Sequence, residues 1–292
     1  MLSSWLRVIR VRFLLASVIA VSAGLALSWW HGHGIDALTA ALTMAGVAAL
    51  HASVDMLNDY WDYKRGIDTR TKRTPMSGGT GVLPEGLLSP RQVYRAGIIS
   101  LVLGTAAGAY FVITTGPVIA AILGFAVVSI YFYSTRIVDS GLSEVLVGVK
   151  GAMIVLGAYY IQAPEITPAA LLVGAAVGAL SSAVLFVASF PDHDADKERG
   201  RKTLVIILGK KRASRILWVF PAVAYSSVIA GVIIQVLPVY SLAMLLAAPL
   251  AAISARGLAK EYDGDRIIRV MRGTLRFSRT AGALLVLGIL LG

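Results

Sequence analysis

Two short stretches of this chain carry acids at a spacing that chemistry can use. Residues 58–68 read NDYWDYKRGID, and residues 191–198 read PDHDADKE. Asn58 and Asp62 are four apart, as are Asp192 and Asp196; on a helix that spacing projects both side chains from one face. Asp55, Asp59 and Asp68 complete the first group, Asp194 and Glu198 the second. Carboxylates packed this closely repel, so something positive must hold them. Lys or Arg would do so as a salt-bridged loop. An oxygen-only set of Asp and Asn is better suited to a hard divalent ion, and Mg²⁺ binds through one or two carboxylates plus substrate phosphates. Two such half-sites facing each other suggest two or more Mg²⁺ ions with a diphosphate between them. Lys64, Arg65, Arg70, Lys72, Arg201 and Lys202 are near enough in sequence to donate to phosphate oxygens. Metal and cations together would stabilise a departing diphosphate, the electrostatic route to breaking a carbon–oxygen bond.

The elements that must position these groups are membrane spans. Of the 292 residues 57% are hydrophobic and 15% charged, and the mean hydropathy is +0.76, above what a soluble domain tolerates. A spanning helix needs about 20 apolar residues. Nine windows of about that length emerge, at 13–30, 36–57, 92–113, 116–133, 142–162, 168–190, 214–232, 236–255 and 275–292. The expected fold is an all-α membrane protein, one domain over residues 1–292, with nine transmembrane helices around a central cavity. The first window lacks a convincing small-residue cleavage site and is counted as a helix rather than a removable signal. With no cysteine, neither a disulfide framework nor a thiolate metal site is possible.

The formal charge of +11 does not point to nucleic acid, because Lys and Arg fall almost wholly into alternate loops. Arg7, Arg10 and Arg12 precede the first window, and larger groups follow the second, sixth and eighth; the loops HGHG, TTGP, QAPEIT and QVLP contain none. This positive-inside asymmetry places the amino terminus in the cytoplasm. Most of these cations are then explained by orientation and anionic lipid. The acids are not, since orientation needs none of them. Both groups end an even-numbered window and open a long basic cytoplasmic loop, which resembles duplication of a helical unit and sets the two clusters face to face.

At this point the residues resemble a known family. ND(x)₂D followed about 130 residues later by a second DxxxD, each after an even-numbered helix of nine, resembles the UbiA superfamily of intramembrane aromatic prenyltransferases, over nearly the whole chain. IRVRFLLAS at 9–17 looks like the family's opening arginine segment, with Arg10 at its recurring position. YSTRIVDSGLSEVLVG at 133–148 resembles its Tyr-Ser and Gly-x-x-Glu stretch, and FPDHDADKERGRKTLVIILG at 190–209 its second Asp-rich motif. The resemblance implies an enzyme that binds a polyprenyl diphosphate through Mg²⁺, ionises it to an allylic carbocation and lets an electron-rich aromatic acceptor attack. With the charge asymmetry, it places the enzyme in the cytoplasmic membrane with the active site on the cytoplasmic side; no obligate protein partner is inferred. Carried over by position, Asn58, Asp62, Asp192 and Asp196 match the metal positions, and Asp68 matches the last acid of the first motif in one branch. Many relatives place that acid where this chain has Gly66. NDYWDYKRGID, with the loop TPMSGGTGVLPEGLLSP, is similar to the branch that prenylates 1,4-dihydroxy-2-naphthoate for menaquinone.

Other residues have two readings each. Asp55 lies one turn before Asp59, where it reaches either the cavity and the acceptor or a hydrogen-bonded helix end. Asp59 and Asp194 are rotated from the metal face by roughly 100 to 200 degrees and suit groups that orient ligands or cations. Tyr133 and Ser134 close the fourth span; a Tyr there is commonly an interfacial belt residue, while the resemblance implies a place near the diphosphate or carbocation, which an aromatic face stabilises. Lys150, half-way along an apolar helix, faces protein or water; it either holds an acceptor carboxylate, pairs with Glu144 or snorkels. His31 and His33 have donors for a soft metal but read as a surface turn, and His51 and His193 as packing or solvated residues. The basic stretch at 260–279 has apolar residues at helical intervals, as a helix lying on the membrane surface would. Two rival classes remain. A secondary transporter would couple cations through such carboxylates, but near the midplane on broken helices. A phosphatidyl transferase would require a DGxxAR start that this chain lacks.

Overall fold

The computed structural model describes residues 1–68, 73–74, 76–264 and 266–292. Arg70 and Lys72 of the sequence expectation lie outside the described residues. Every element among those described is helical. A short α1 (Leu2–Val8) leads into α2 (Val11–Trp30), α3 (Ala37–Lys64), α4 (Pro90–Thr115) and α5 (Pro117–Phe132), which continues as a π-helical turn at Tyr133–Ile137. Next come α6 (Ser143–Gln162), α7 (Pro168–Glu198), the short α8 (Leu204–Leu208) and α9 (Lys210–Ala213), and α10 (Val219–Ile233). A 3₁₀ segment at Val239–Ala247 runs into α11 (Ala248–Lys260), and α12 (Arg266–Leu290) ends the fold.

Among the described residues, eight helices are long and apolar enough to cross a membrane. The seventh window yields only the 15 residues of α10, about 22 Å of helix against a hydrocarbon core of about 30 Å. Two others overshoot: α3 has 28 residues and α7 has 31, so each carries turns beyond an apolar span, and those turns hold the acids. The basic stretch at 260–279 is not a separate surface helix. From Arg266 it forms the first turns of α12, because Ile267, Val270, Met271, Thr274 and Phe277 recur at three- and four-residue intervals and are buried against the bundle.

Helix starts are written locally. The Asp36 carboxylate accepts from the Thr39 amide at 2.7 Å to open α3, Ser89 and Gln92 form a capping box before Pro90 in α4, and Thr167 caps α7. Packing between spans relies on small residues, since lipid gives helices no hydrophobic reason to associate. α6 and α7 touch backbone to backbone: a Cβ on Gly178 would sit 2.2 Å from the Gly148 carbonyl oxygen. One turn on, the Ser182 hydroxyl donates to the Glu144 carbonyl at 2.7 Å. In the same way the Ser53 hydroxyl of α3 donates to the Gly97 carbonyl of α4 at 2.8 Å. These contacts fix α3 and α7, and with them the two acid-bearing ends.

Candidate active site

The long ends of α3 and α7 converge on one cleft, lined among others by Asn58, Asp62, Tyr133, Asp192, Asp196 and Arg201. Arg201 bridges the two halves. Its Nη1 donates to Asp196 Oδ1 at 2.9 Å, and its Nη2 contacts Asp62 Oδ1. Burial opposes the Arg201 charge, but Asp62 and Asp196 outweigh it and hold the guanidinium above its ordinary pKa. The salt-bridged arrangement is therefore present, yet it leaves acids unmatched. Asp192 Oδ2 accepts from the Gly78 amide at 3.3 Å, whereas its Oδ1 is buried without a partner. Among the described residues Asp68 Oδ2 is likewise buried without a partner, and burial, reinforced by Asp62 and Asp59, pushes that carboxyl up to about 8. Unmatched buried carboxylate oxygens are costly. An all-oxygen donor set with such orphans fits a hard dication.

Local geometry explains the placement. Asn58 and Asp62 share a face of α3, and Asn58 Nδ2 donates to Asp62 Oδ2 at 3.3 Å and to Ser134 Oγ at 2.9 Å. Ser134 sits in the π-helical turn, whose wider winding presents Tyr133 to the cleft. Pro191 stands inside α7 immediately before Asp192 and removes the hydrogen bond its amide would have given. Asp59 accepts from Arg10 Nη2 at 3.1 Å and the Thr80 amide at 3.2 Å, and Thr80 Oγ1 contacts its other oxygen. It thus positions Arg10 and the 76–80 loop, as its rotation from the metal face anticipates. Burial opposes the Arg10 charge too, with Asp59 and Asp55 prevailing to raise its pKa. Asp194 does not orient ligands: its side chain is 78% exposed and pairs with His193 and Lys210.

The cations divide. Arg65 does not line the cleft; it ties three segments by donating to the Ser134 carbonyl at 2.9 Å, Asp139 Oδ1 at 3.0 Å and the Arg199 carbonyl at 3.1 Å. Lys64 is exposed with its ammonium over the Tyr60 ring, because two residues rotate it about 200° from Asp62. Lys202 is exposed, its backbone amide donating to the Val138 carbonyl at 3.1 Å. Neither joins the cleft, in contrast to Arg10 and Arg201. The loop at 76–79, read in the sequence only as a mark of the branch, also approaches the acids, and SGGTG carries the signal. Gly79 has φ +70, and a Cβ there would lie 2.4 Å from the Asp68 carboxylate, so only glycine brings backbone this near the acid.

A second cavity continues from the cleft, sharing Arg10, Asn58, Tyr133 and Leu185 and adding His51, Asp55 and Lys150. His51 is no mere packing residue here: its Nε2 lies 3.6 Å from Asp55 Oδ2 and its Nδ1 2.6 Å from Ser17 Oγ. Lys150 does not pair with Glu144, which instead accepts from the Leu204 amide at 3.2 Å and the Ser143 hydroxyl at 3.0 Å. The lysine lines this cavity and also a third, almost wholly apolar one among α3, α4, α5 and α6, with Leu50, Phe111, Ile122 and Ile154 on its walls. The charged cleft and the mixed cavity adjoin through four shared residues, and Lys150 lines both the mixed cavity and the apolar one.

This arrangement defines a helical integral membrane protein with a cluster of acids at the ends of two long helices and apolar cavities among its spans. The profile of the UbiA prenyltransferase family matches residues 17–279, and the chain belongs to that family; it is an enzyme, a prenyltransferase. Among curated relatives it is 30% identical to 1,4-dihydroxy-2-naphthoate octaprenyltransferase of Escherichia coli, over 99% of this chain and 95% of that protein. It is also 30% identical to the protein so named from Mycobacterium tuberculosis, over 93% and 91%. UbiA prenyltransferase domain-containing protein 1 of Xenopus tropicalis is 25% identical over 94% of this chain and 78% of that one. Solved structures share the fold. A UbiA homologue from Aeropyrum pernix superposes with TM-score 0.71 at 19% identity, covering 94% and 97%. One from Archaeoglobus fulgidus bound to GPP and Mg²⁺ does so with TM-score 0.65 at 16% identity, covering 97% and 99%.

Proposed function

We propose that the protein transfers a polyprenyl group from a polyprenyl diphosphate to an aromatic acceptor, 1,4-dihydroxy-2-naphthoate on the route to menaquinone, at the cytoplasmic face of the cytoplasmic membrane. The observation that carries this reading is the convergence of Asn58, Asp62, Asp192 and Asp196 from two helices, with an orphaned carboxylate oxygen, beside a mixed cavity whose Lys150 also lines an apolar one. The names of the bacterial relatives support the acceptor, and the metal and prenyl diphosphate bound by the A. fulgidus homologue support the donor.

Asn58, Asp62, Asp68, Asp192 and Asp196 would hold Mg²⁺, which when bound neutralises diphosphate charge and improves it as a leaving group. Arg10 and Arg201, already in the cleft, donate to phosphate oxygens. As the prenyl C1–O bond breaks, its electron pair leaves with the diphosphate; a ring pair of the acceptor forms the C–C bond to C1, and the C–H bond at that ring carbon then breaks, its pair restoring the aromatic ring and its proton passing to water. Tyr133 lines both the cleft and the second cavity, so its ring stands between leaving group and acceptor, where an aromatic face stabilises the allylic cation. Lys150 pairs with the acceptor carboxylate, and Asp55 with His51 receives its hydroxyl groups. The apolar cavity takes the isoprenoid tail, whose exposure to water would cost about 0.8 kcal/mol per methylene.

Incubating purified protein in detergent with Mg²⁺, a labelled prenyl diphosphate and a panel of acceptors tests the reading. Transfer to dihydroxynaphthoate in preference to 4-hydroxybenzoate and geranylgeranylglyceryl phosphate is expected. Turnover without any ion gradient separates the enzyme from a transporter, and transfer to none of the three by folded protein overturns the proposal.

A further inference from the structure

The end of the bundle remote from the acids holds a second convergence. α2 has 20 residues, about 30 Å of helix, so His31 at its C-terminal end is that far from Arg10 at its start. There the 31–36 loop meets the 163–167 loop. His31, His33 and Glu165 each bring one ligand atom within 4.8 Å of the others, although Glu165 is 132 residues from His33 in sequence. The seam is already closed on one side, where the Asp36 amide donates to Gln162 Oε1 at 3.0 Å. Gly32 at φ +81 and Gly34 at φ +73 let the intervening chain fold back, so that imidazoles two residues apart face each other edge to face with centroids 6.3 Å apart.

Tyr159 shows that this is more than a loose turn. Fully buried, its hydroxyl lies 2.5 Å from Glu165 Oε1 and 2.7 Å from His31 Nδ1. A phenol has one proton. Given to the carboxylate, it leaves His31 Nδ1 as the donor to the phenol oxygen, so Nε2 of that ring carries the lone pair. A histidine with one nitrogen anchored by its protein and the other basic is arranged as metal-ligating histidines are. His33 Nε2 stands 3.3 Å from Glu165 Oε1, close to the separation of about 3.4 Å between two ligands on one tetrahedral ion at about 2.1 Å. Both residues are open to solvent, with side chains 41% and 50% exposed, so an ion can enter.

We propose that His31, His33 and Glu165 form a site for a borderline divalent transition ion of the Zn²⁺ class. Two imidazoles and one carboxylate suit such an ion better than Mg²⁺ or Ca²⁺. The site clasps the loop after α2 to the loop after α6. Tyr159 is its positioning residue, orienting two of the three ligands.

The test uses full-length, tag-free protein in detergent with millimolar Mg²⁺ throughout, so that hard oxygen sites are occupied. Zn²⁺ is titrated against a fluorescent chelator, and Co²⁺ absorption reports coordination. One equivalent of Zn²⁺ should bind. His33→Ala and Glu165→Gln, both at exposed positions, should each weaken it at least about tenfold and abolish the visible Co²⁺ bands. Tyr159→Phe should weaken binding by about 10- to 100-fold. Failure to bind one equivalent, or affinity unchanged in the His33→Ala/Glu165→Gln double variant, overturns the proposal. So does loss of Zn²⁺ binding in Asp62→Asn, which would assign the ion to the acid cleft.

Discussion

The two ends of the bundle solve opposite problems with polar groups. At the acid end, carboxylates from α3 and α7 are drawn into a largely buried cleft and held there by two arginines, yet among the described residues Asp192 Oδ1 and Asp68 Oδ2 have no partner. At the far end fewer groups meet, and Glu165 is satisfied by Tyr159 and His33 while remaining half open to solvent. A buried charge left unpaired costs far more than an exposed one. The acid end is therefore incomplete as protein alone and calls for a ligand, whereas the far end is stable as it stands and accepts an ion only as an addition.

That contrast can be broken most directly at Asp192. Asp192→Asn keeps an oxygen for the Gly78 amide, frees no arginine, and removes only the charge that the orphaned oxygen carries. Prenyl transfer should fall by at least about 100-fold, with the melting midpoint within a few degrees of the parent; normal turnover would show that the orphan is incidental. Lys150→Met sharpens the division between cleft and second cavity. Losing a charged hydrogen bond worth about 1.5–3 kcal/mol should raise KM for a carboxylated aromatic acceptor roughly tenfold or more, with KM for the prenyl diphosphate unchanged. Equal effects on both substrates would place the lysine at the diphosphate instead.

Between the two ends, Gly178→Ala forces a methyl against the Gly148 carbonyl and should cost about 1–3 kcal/mol by overpacking. Gly124→Ala, which meets nothing within 4 Å, should leave thermal stability unchanged or slightly raised. The smallest effect belongs to Glu85, which hydrogen bonds to Arg7 at 2.8 Å and to Arg73 hold at about 2. Its folded pKa lies below the unfolded value of about 4.3, so its contribution is present above that value and lost as pH falls from there toward 2. The melting midpoint of Glu85→Gln should be slightly below the parent at pH 6, and the gap should close as pH approaches 2. A gap that widened with acid would reverse the assignment.

Much of the acid site was legible in the linear chain. A four-residue spacing puts Asn58 with Asp62, and Asp192 with Asp196, on one helical face whatever the rest of the fold does. Lys64 was readable too, since two residues carry it to the other side of α3, but nearness in sequence suggested otherwise. Lys202 and Arg201 could not be separated that way, because the residues after α7 leave the helix and neighbours there no longer keep a fixed angle. The same limit applies to Arg65, one residue past α3, which reaches carbonyls on two other segments. His51 was set aside because a single histidine on an apolar helix has no local signal; its meaning comes from Asp55 one turn away and from the cavity they share with Lys150 on α6.

By itself the sequence determined that this chain is a bundle of membrane helices and where its two acid pairs lie, because apolar length and helical period are properties of consecutive residues. Only the tertiary structure decided that Arg201 stands between the pairs, that Lys150 lines both the cavity beside them and an apolar one, and that Glu165 meets two histidines at the other end. Those contacts join residues more than a hundred positions apart, or turn on the direction of a loop. They are set by how helices pack through their small residues rather than by any local preference of the chain.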